Sequence, residues 1–343
     1  MQEEVSPELA LPGLVEVSFS VTAACRGSCR FCYAKGRAEV EDPTLPQLER
    51  HFLRLRQGGV RTLRVTGGEP LLRRELLDLL DLARHHGFSC VLNTSGFGGR
   101  SPAWCEEVFR RCDLLIISLH ALDQAAANWL GWTGGEIGEN LAFLRHALEV
   151  VPAKVVVTTL VTTVFQAQYQ RFLLLLRYLG APRWYLNRPM VDPVLGTTLH
   201  PEARALDALV SDLVRFRSSW PGELRLSNYP HCRFGEPARG LLGKNLLLNG
   251  VNRLTRDLDG RYRPVGTLAL DLGEEIGAAW ASNPFRLDAR PCRLPEVCRT
   301  CQLFPACVGG SRHQAFAQHG SYNAPDPLMV GPISGNGQLG GLA

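Results

Sequence analysis

The sequence of 343 residues contains no apolar run that approaches the roughly 20 residues needed to cross a bilayer. Its first residues, Met1-Gln2-Glu3-Glu4, are acidic and lack the basic and apolar regions of a signal peptide. The net charge is only +4, and the arginines are scattered without forming a basic stripe. We therefore expect no membrane span, no export and no nucleic-acid partner.

The cysteine content points to metal chemistry. Eleven cysteines, an odd number, in a chain without an export signal predict a cytoplasmic location, where thiols stay reduced and serve metals. A hydrophobic content of 45% and a charged content of 20% are typical of a globular protein. The length allows one large domain, or one large and one smaller domain.

Cys25, Cys29 and Cys32 have C-x3-C-x2-C spacing and follow an apolar alternating run, 15–21, that predicts a strand. A loop of this length can bring all three sulfurs to one inorganic centre. Structural 4Fe–4S clusters are held by four thiolates, so three predict an iron with an open coordination position, which is typical of a reactive site. A zinc loop that lacks one ligand, or three buried thiols, are the alternatives.

A second motif, Gly67-Gly68-Glu69-Pro70, follows the strand-like residues 63–66. Paired glycines allow the backbone to approach a ligand closely, and a carboxylate suits an ammonium group. Alone, the motif is weak and is typical of many strand-to-helix turns. Its place some 35 residues after the cysteine motif strengthens it.

Together, the two motifs resemble those of the radical S-adenosylmethionine (SAM) enzymes, and Phe31 and Tyr33 on either side of Cys32 also match. The resemblance implies that the three cysteines bind a 4Fe–4S cluster whose open iron is chelated by the methionine part of SAM. It assigns the methionine amino group to Gly67, Gly68 and Glu69, and it adds Tyr33 to the cofactor-binding residues. It further implies a low-potential electron donor, flavodoxin or ferredoxin, and reductive cleavage of SAM to a 5′-deoxyadenosyl radical that abstracts hydrogen from a substrate.

Apolar strand-like segments alternate with amphipathic helical segments from the first motif to Asn187, which predicts parallel β/α units. Six such units match the open (β/α)6 partial TIM barrel of the resembled family. We predict this α/β barrel over residues 13–220, after a flexible lead-in over 1–12. The predicted strands cover 15–21, 63–66, 89–93, 113–119, 154–161 and 183–187.

Polar residues follow several of these strands, at the ends where β/α barrels carry their chemistry. We predict that they bind the cofactor; they are Asn93, Ser95, Ser118, His120 and Arg188. Each has a structural alternative: a polar turn for the residues near Asn93, a capping role for His120 and a surface ion pair for Arg188.

A second cysteine set, Cys292, Cys298, Cys301 and Cys307, has spacings of x5, x2 and x5, a strong sign of a metal site. The run resembles the C-terminal extension called SPASM, or its shorter twitch form. We therefore predict a smaller iron–sulfur auxiliary domain over residues 221–330, followed by a flexible tail over 331–343.

Three ligand positions of a full extension are missing, because Val265, Ser311 and the pair Leu328-Met329 stand where cysteines are expected. The resemblance thus implies one auxiliary 4Fe–4S cluster on Cys298, Cys301 and Cys307. Cys292 is the first choice for its fourth ligand, followed by Cys232 and Asp326. A four-thiolate zinc site that braces the domain would use the same residues.

The substrate implied by the resemblance is a ribosomally made precursor peptide that is crosslinked, oxidised, epimerised or excised. The lead-in is too short for a leader-recognition domain, so a separate recognition protein is a possible partner. One alternative is the modification of a small molecule or a tetrapyrrole side chain. Another is an iron–sulfur scaffold or redox sensor without turnover, although such a protein would have no use for a methionine site.

Overall fold

The computed structural model describes residues 13–32, 40–190, 198–242, 252–266, 270–285, 295–298, 300–307 and 309–331. The chain divides into two compact units. The first consists of Met1–Leu119, Asp123–Val157 and Leu248–Leu287, and the second of His120–Leu122, Thr158–Leu247 and Asp288–Ala343. The domain boundaries that we derived from the sequence stay predictions.

The first unit is built mainly from strands that alternate with helices. Its strands are β1 (Glu16–Ser20), β2 (Thr62–Thr66), β3 (Ser89–Thr94), β4 (Leu114–Ser118), β8 (Arg253–Arg256) and β9 (Tyr262–Arg263). Its helices are α1 (Leu45–Gln57), α2 (Leu76–His85), α3 (Pro102–Arg111), α4 (Gln124–Leu130), α5 (Ile137–Val150) and α9 (Ile276–Ser282).

The strands of the first unit lie in the order β9-β8-β1-β2-β3-β4. All neighbouring pairs in this group are parallel, except for β8 and β9, which are antiparallel. In the central pair, Glu16 is opposite Thr62 and Ser20 is opposite Thr66. Parallel strands end at the same edge, so the segments that follow β1, β2, β3 and β4 all leave the sheet on one side.

Aromatic contacts show how helices cover the sheet. Phe52 of α1 packs edge-on against Phe19 of β1 and against Phe88, and all three side chains are buried. Phe109 of α3 packs in the same way against Phe143 of α5. Edge-to-face packing of this kind stabilises a core beyond simple burial. The segments that carry the motifs are therefore attached to a well-packed scaffold.

Strand β5 (Val155–Leu160) begins in the last residues of the first unit and continues into the second. The second unit also contains β6 (Arg183–Asn187) and β7 (Glu223–Ser227), which are parallel to each other. Its helices are α6 (Thr163–Tyr178), α7 (Ala203–Arg217), α8 (Arg239–Leu242), α10 (Phe304–Cys307) and α11 (Arg312–His319). Trp184 forms its aromatic core with Phe165 and Phe172, and its indole N–H donates to Thr159 Oγ1 at 2.9 Å.

The predicted α/β class with a mainly parallel sheet is confirmed, and all six predicted strands and their helices are present. The structure adds β7, β8 and β9, which we did not predict. Strand β8 lies within the segment assigned to the auxiliary domain, yet it pairs with β1 in the first unit. Among the described residues, no helix has both the length and the apolar character needed to span a bilayer.

Candidate functional site

The first cysteine motif follows β1 in a segment, here called the cysteine loop, of which residues 21–32 and 40–43 are described. The buried guanidinium of Arg73 holds both ends of this loop, since it donates to the carbonyl oxygens of Val21 and, at 2.6 Å, of Pro43. Ala23 N–H also donates to Asp42 Oδ1 at 2.9 Å. The loop is thus closed at its base, as a preformed ligand site requires.

None of the three cysteines of the cysteine loop forms a disulfide; Cys25 is exposed, and Cys29 and Cys32 are half-buried. Burial raises the pKa of the Cys25 thiol, the backbone N–H groups of Gly27 and Arg26 lower it, and the charges of Glu69 and Cys32 raise it. Cysteine binds metal as the thiolate, so binding of a cluster would displace the thiol proton. The donor set therefore fits an iron–sulfur cluster. Tyr33 lies outside the described residues.

Gly67 and Gly68 pack directly against the beginning of the cysteine loop. The Gly68 N–H donates to Thr22 O at 2.7 Å, and the Glu69 N–H donates to Ala24 O at 2.7 Å. A Cβ on Gly68 would lie 2.3 Å from Ala24 O, and one on Gly67 would lie 2.6 Å from Thr22 O. Gly67 also has a φ of +146°, which favours glycine. These contacts explain why both positions are glycine: each lies against the backbone of the cysteine loop. The sequence alone did not reveal this reason.

The carboxylate of Glu69 is buried and accepts four hydrogen bonds. Its donors are Leu71 N–H at 3.1 Å, Thr94 Oγ1 at 2.5 Å, and the N–H (2.7 Å) and hydroxyl (2.5 Å) of Ser95. Burial raises the pKa of Glu69, while the hydrogen bonds from Ser95, Thr94 and Leu71 lower it. Glu69 therefore fixes the end of β3 against the end of β2 and orients Ser95. Its contact with a methionine amino group stays a prediction.

Asn140, on α5, is a residue that the sequence analysis missed. Its side-chain amide is fully buried and donates to the backbone oxygens of Ser95 at 2.6 Å and of Ser118 at 2.8 Å. Its Oδ1 has no hydrogen-bond partner among the described residues. Asn140 thus connects the ends of β3 and β4, where two of the predicted cofactor-binding residues lie. A buried polar residue in an otherwise apolar helix face was the available signal.

The remaining predicted residue of the first unit, Asn93, belongs to a charged network. Its Oδ1 accepts from Arg64 Nη1 at 3.0 Å, and Arg64 is paired with Glu16 at 2.5 Å. Arg253 of β8 also lies 2.5 Å from the Glu16 carboxylate. Desolvation of Glu16 opposes its ionisation, but the two arginines hold its pKa below the ordinary value. Asn93 is thereby held in a fixed orientation at the end of β3.

His120 and Arg188 belong to the second unit. Burial lowers the pKa of His120 to about 3, so its ring is neutral, and its Nδ1 accepts from Leu160 N–H at 3.3 Å. Arg188 is buried and pairs with Asp326 at 2.8 and 3.1 Å. Both residues therefore have structural partners, and their contact with a cofactor stays a prediction.

Four thiols of the second unit line one concavity of about 320 Å³, counting its open mouth. They belong to Cys232, Cys298, Cys301 and Cys307, and Met329 lies beside them, 3.7 Å from the Cys298 sulfur. Burial raises the pKa of Cys298 to about 11, and the charges of the other three thiols contribute to this rise. The Cys307 sulfur accepts a hydrogen bond from His231 N–H at 3.2 Å. Backbone N–H donors of this type suit a thiolate ligand.

The three candidates for a fourth auxiliary ligand differ in the structure. Cys232 lines the concavity, whereas Cys292 lies outside the described residues. The Asp326 carboxylate already accepts from Arg188, from Ser311 N–H at 2.7 Å and from Leu328 N–H at 2.9 Å. Within the described part of the chain, no three His, Cys, Asp or Glu side chains are grouped closely enough to hold a single metal ion. Sulfurs around a four-iron cube lie farther apart than those around one ion.

Two curated relatives differ in how much of the chain they match. A probable GTP 3′,8-cyclase of Archaeoglobus fulgidus is 31% identical over 151 residues, which is 41% of this chain. The matched part is about half of that relative, 48% of its length. An AdoMet-dependent heme synthase of Oleidesulfovibrio alaskensis is 24% identical over 349 residues, covering 92% of this chain and 86% of that protein.

Solved structures share the fold at low identity. Streptococcus suis SuiB bound to the precursor peptide SuiA has a TM-score of 0.68 at 15% identity, covering 91% of this chain and 75% of SuiB. The enzyme anSMEcpe with bound AdoMet has a TM-score of 0.66 at 14% identity, covering 91% of this chain and 93% of anSMEcpe.

The Radical SAM superfamily profile matches residues 19–176, which include the cysteine loop, the Gly-Gly-Glu segment and the ends of β1 to β4. This chain therefore contains a domain of the Radical SAM superfamily.

Proposed function

We propose that this protein is a radical SAM enzyme that modifies a ribosomally made precursor peptide. The observation that carries the proposal is the contact between the two motifs, because Gly67, Gly68 and Glu69 pack on the backbone that leads to Cys25. A cluster ligand loop is thereby joined to the segment assigned to the methionine group. An iron–sulfur scaffold or redox sensor would have no need of the second segment.

Cys25, Cys29 and Cys32 would hold the catalytic 4Fe–4S cluster, and Gly67, Gly68, Glu69, Ser95 and Ser118 would contribute to the SAM site. When bound, the cluster and SAM supply an electron and a 5′-deoxyadenosyl radical able to abstract hydrogen from a substrate. The contribution of the chain is positioning. Arg73 closes the base of the loop, Glu69 orients Ser95, and Asn140 holds the ends of β3 and β4.

We further propose that an auxiliary 4Fe–4S cluster is held by Cys298, Cys301 and Cys307, with Cys232 as the fourth ligand in preference to Cys292. Support comes from the shared concavity of four thiols and from the occupied carboxylate of Asp326. Such a group could accept an electron after hydrogen abstraction. None of the ten described cysteines forms a disulfide, which agrees with a reducing cytoplasmic environment.

The peptide substrate is supported by the fold that the chain shares with SuiB and anSMEcpe, both of which have solved structures with bound peptides. A flavodoxin or ferredoxin would supply the electron, and a separate protein could present the leader peptide. Modification of a tetrapyrrole side chain is the second candidate, because the heme synthase of O. alaskensis matches 92% of this chain.

Anaerobically reconstituted protein, dithionite and SAM, assayed for 5′-deoxyadenosine, test the reaction class. SAM cleavage is expected, and its absence in fully loaded protein would favour the scaffold alternative. Deuterated precursor peptides and deuterated porphyrins then separate the substrates. Deuterium in 5′-deoxyadenosine from a peptide would support the proposal, whereas transfer from a porphyrin alone would overturn the peptide assignment.

A further inference from the structure

The cysteine loop makes backbone hydrogen bonds with a short turn at the end of α4. The residues of this turn, Leu130 and Gly131, belong to neither motif. Ser28 N–H donates to Gly131 O at 3.0 Å, and Arg30 N–H donates to Leu130 O at 2.9 Å. Ser28 and Arg30 are the two neighbours of Cys29. The Leu130–Gly131 turn therefore fixes the backbone on both sides of the central cysteine.

Gly131 is the residue that makes this contact possible. Its φ is +67°, a left-handed conformation that ends α4 and that favours glycine. A Cβ at this position would lie 2.4 Å from Ser28 O and 3.3 Å from Cys29 Cα. The first of these distances is too short for any carbon–oxygen contact. A side chain would force the turn and the cysteine loop apart.

The residue before this turn adds a contact at the surface. The guanidinium of Arg30 lies over the ring of Trp129, with 5.0 Å between its central carbon and the ring centroid. A cation above an indole ring is attracted by the negative face of the ring. Trp129 and the turn thus hold the cysteine loop from one side, while Gly67 and Gly68 contact its beginning.

We propose that the Leu130–Gly131 turn is a positioning element for the catalytic cluster, an inference that rests on the proposed function. By fixing Ser28 and Arg30, the turn sets where Cys29 stands relative to Cys25 and Cys32. It also holds the N–H groups of Ser28 and Arg30 on the oxygens of Gly131 and Leu130, so that neither N–H is available to donate to a cluster sulfur. Hydrogen bonds to sulfur favour the reduced, more negative cluster, so occupying these donors keeps the reduction potential low.

The test compares Gly131→Ala with Gly180→Ala in the full chain. Gly180 has a φ of +66° after α6, and a Cβ there would meet no heavy atom within 4 Å. Both variants therefore carry the same left-handed strain, but only Gly131→Ala pushes on the cysteine loop. The readouts are the change that SAM produces in the EPR spectrum of the reduced protein, the midpoint potential of that signal, and 5′-deoxyadenosine formation.

We expect Gly131→Ala to raise the midpoint potential, to alter the SAM-sensitive EPR signal and to reduce 5′-deoxyadenosine formation at least tenfold. Gly180→Ala should match the wild type in all three. Equal behaviour of the two variants would overturn the proposal, whereas a wild type without any SAM-sensitive signal would overturn the proposed function itself. If Gly131→Ala does not fold, Trp129→Leu provides the test. Release of iron from this variant to a chelator should be several-fold faster than from the wild type, and an unchanged rate would refute the proposal.

Discussion

Replacing Asn140 by leucine tests whether the ends of β3 and β4 are held together by one buried amide. Leucine is close in size but cannot donate, so the carbonyl oxygens of Ser95 and Ser118 each lose a hydrogen bond. A buried group that loses its partner costs about 1–3 kcal/mol. Removal of the partnerless Oδ1 offsets part of that cost. We therefore expect a net loss of about 2 kcal/mol, or roughly 4–8 °C in unfolding temperature.

The same substitution should weaken SAM binding, because Ser95 and Ser118 are predicted to contact the cofactor. A loss of tenfold in affinity corresponds to about 1.4 kcal/mol, and we expect at least that by equilibrium dialysis under anaerobic conditions. Gln170→Leu is the control, since it also replaces an amide by leucine on a helix but at an exposed position. Unchanged SAM affinity and unfolding temperature in Asn140→Leu would refute the reasoning.

Three further predictions concern other parts of the two units. Gly68→Ala should displace the cysteine loop and abolish SAM cleavage. The control Gly138→Ala, where a Cβ meets nothing within 4 Å, should retain wild-type cleavage. Equal SAM cleavage by the two variants would contradict the packing of Gly68 against the cysteine loop. Cys232→Ala should lower the iron and sulfide content of the second site while Cys292→Ala leaves it intact, and the reverse result would identify Cys292 as the ligand. Burial lowers the pKa of His120 to about 3. The contribution of the neutral His120 ring to the free energy of unfolding is therefore fully present above pH 6.5 and is lost as the pH falls towards 3. Between pH 7.5 and 5.5 the wild type should lose about 1.4 kcal/mol more than His120→Gln in chemical unfolding, and parallel pH curves would refute this.

The sequence predicted the periodic part of the fold well. Long amphipathic helices and apolar strands have a local pattern, and β6 begins and ends at the predicted residues. Strand β8 was missed because it has four residues and pairs with a strand about 240 residues earlier in the chain. Such pairing depends on long-range packing that no local pattern encodes.

The candidate site shows the same division. Cys25 and Gly68 were found because their motifs are contiguous in sequence. Asn140 and Gly131 were missed because each acts on a segment that is distant along the chain. A helical asparagine or a glycine after a helix is common, and only the contacts with Ser95 and Ser28 distinguish these two.

The most direct test of the account compares the wild type with a Cys25/Cys29/Cys32→Ala triple variant, both reconstituted anaerobically. Iron and sulfide are counted, and the same samples are incubated with dithionite and SAM to measure 5′-deoxyadenosine. The account predicts about eight irons in the wild type and about four in the variant, with SAM cleavage only in the wild type. A fully loaded wild type that does not cleave SAM, or a triple variant that still does, would contradict it.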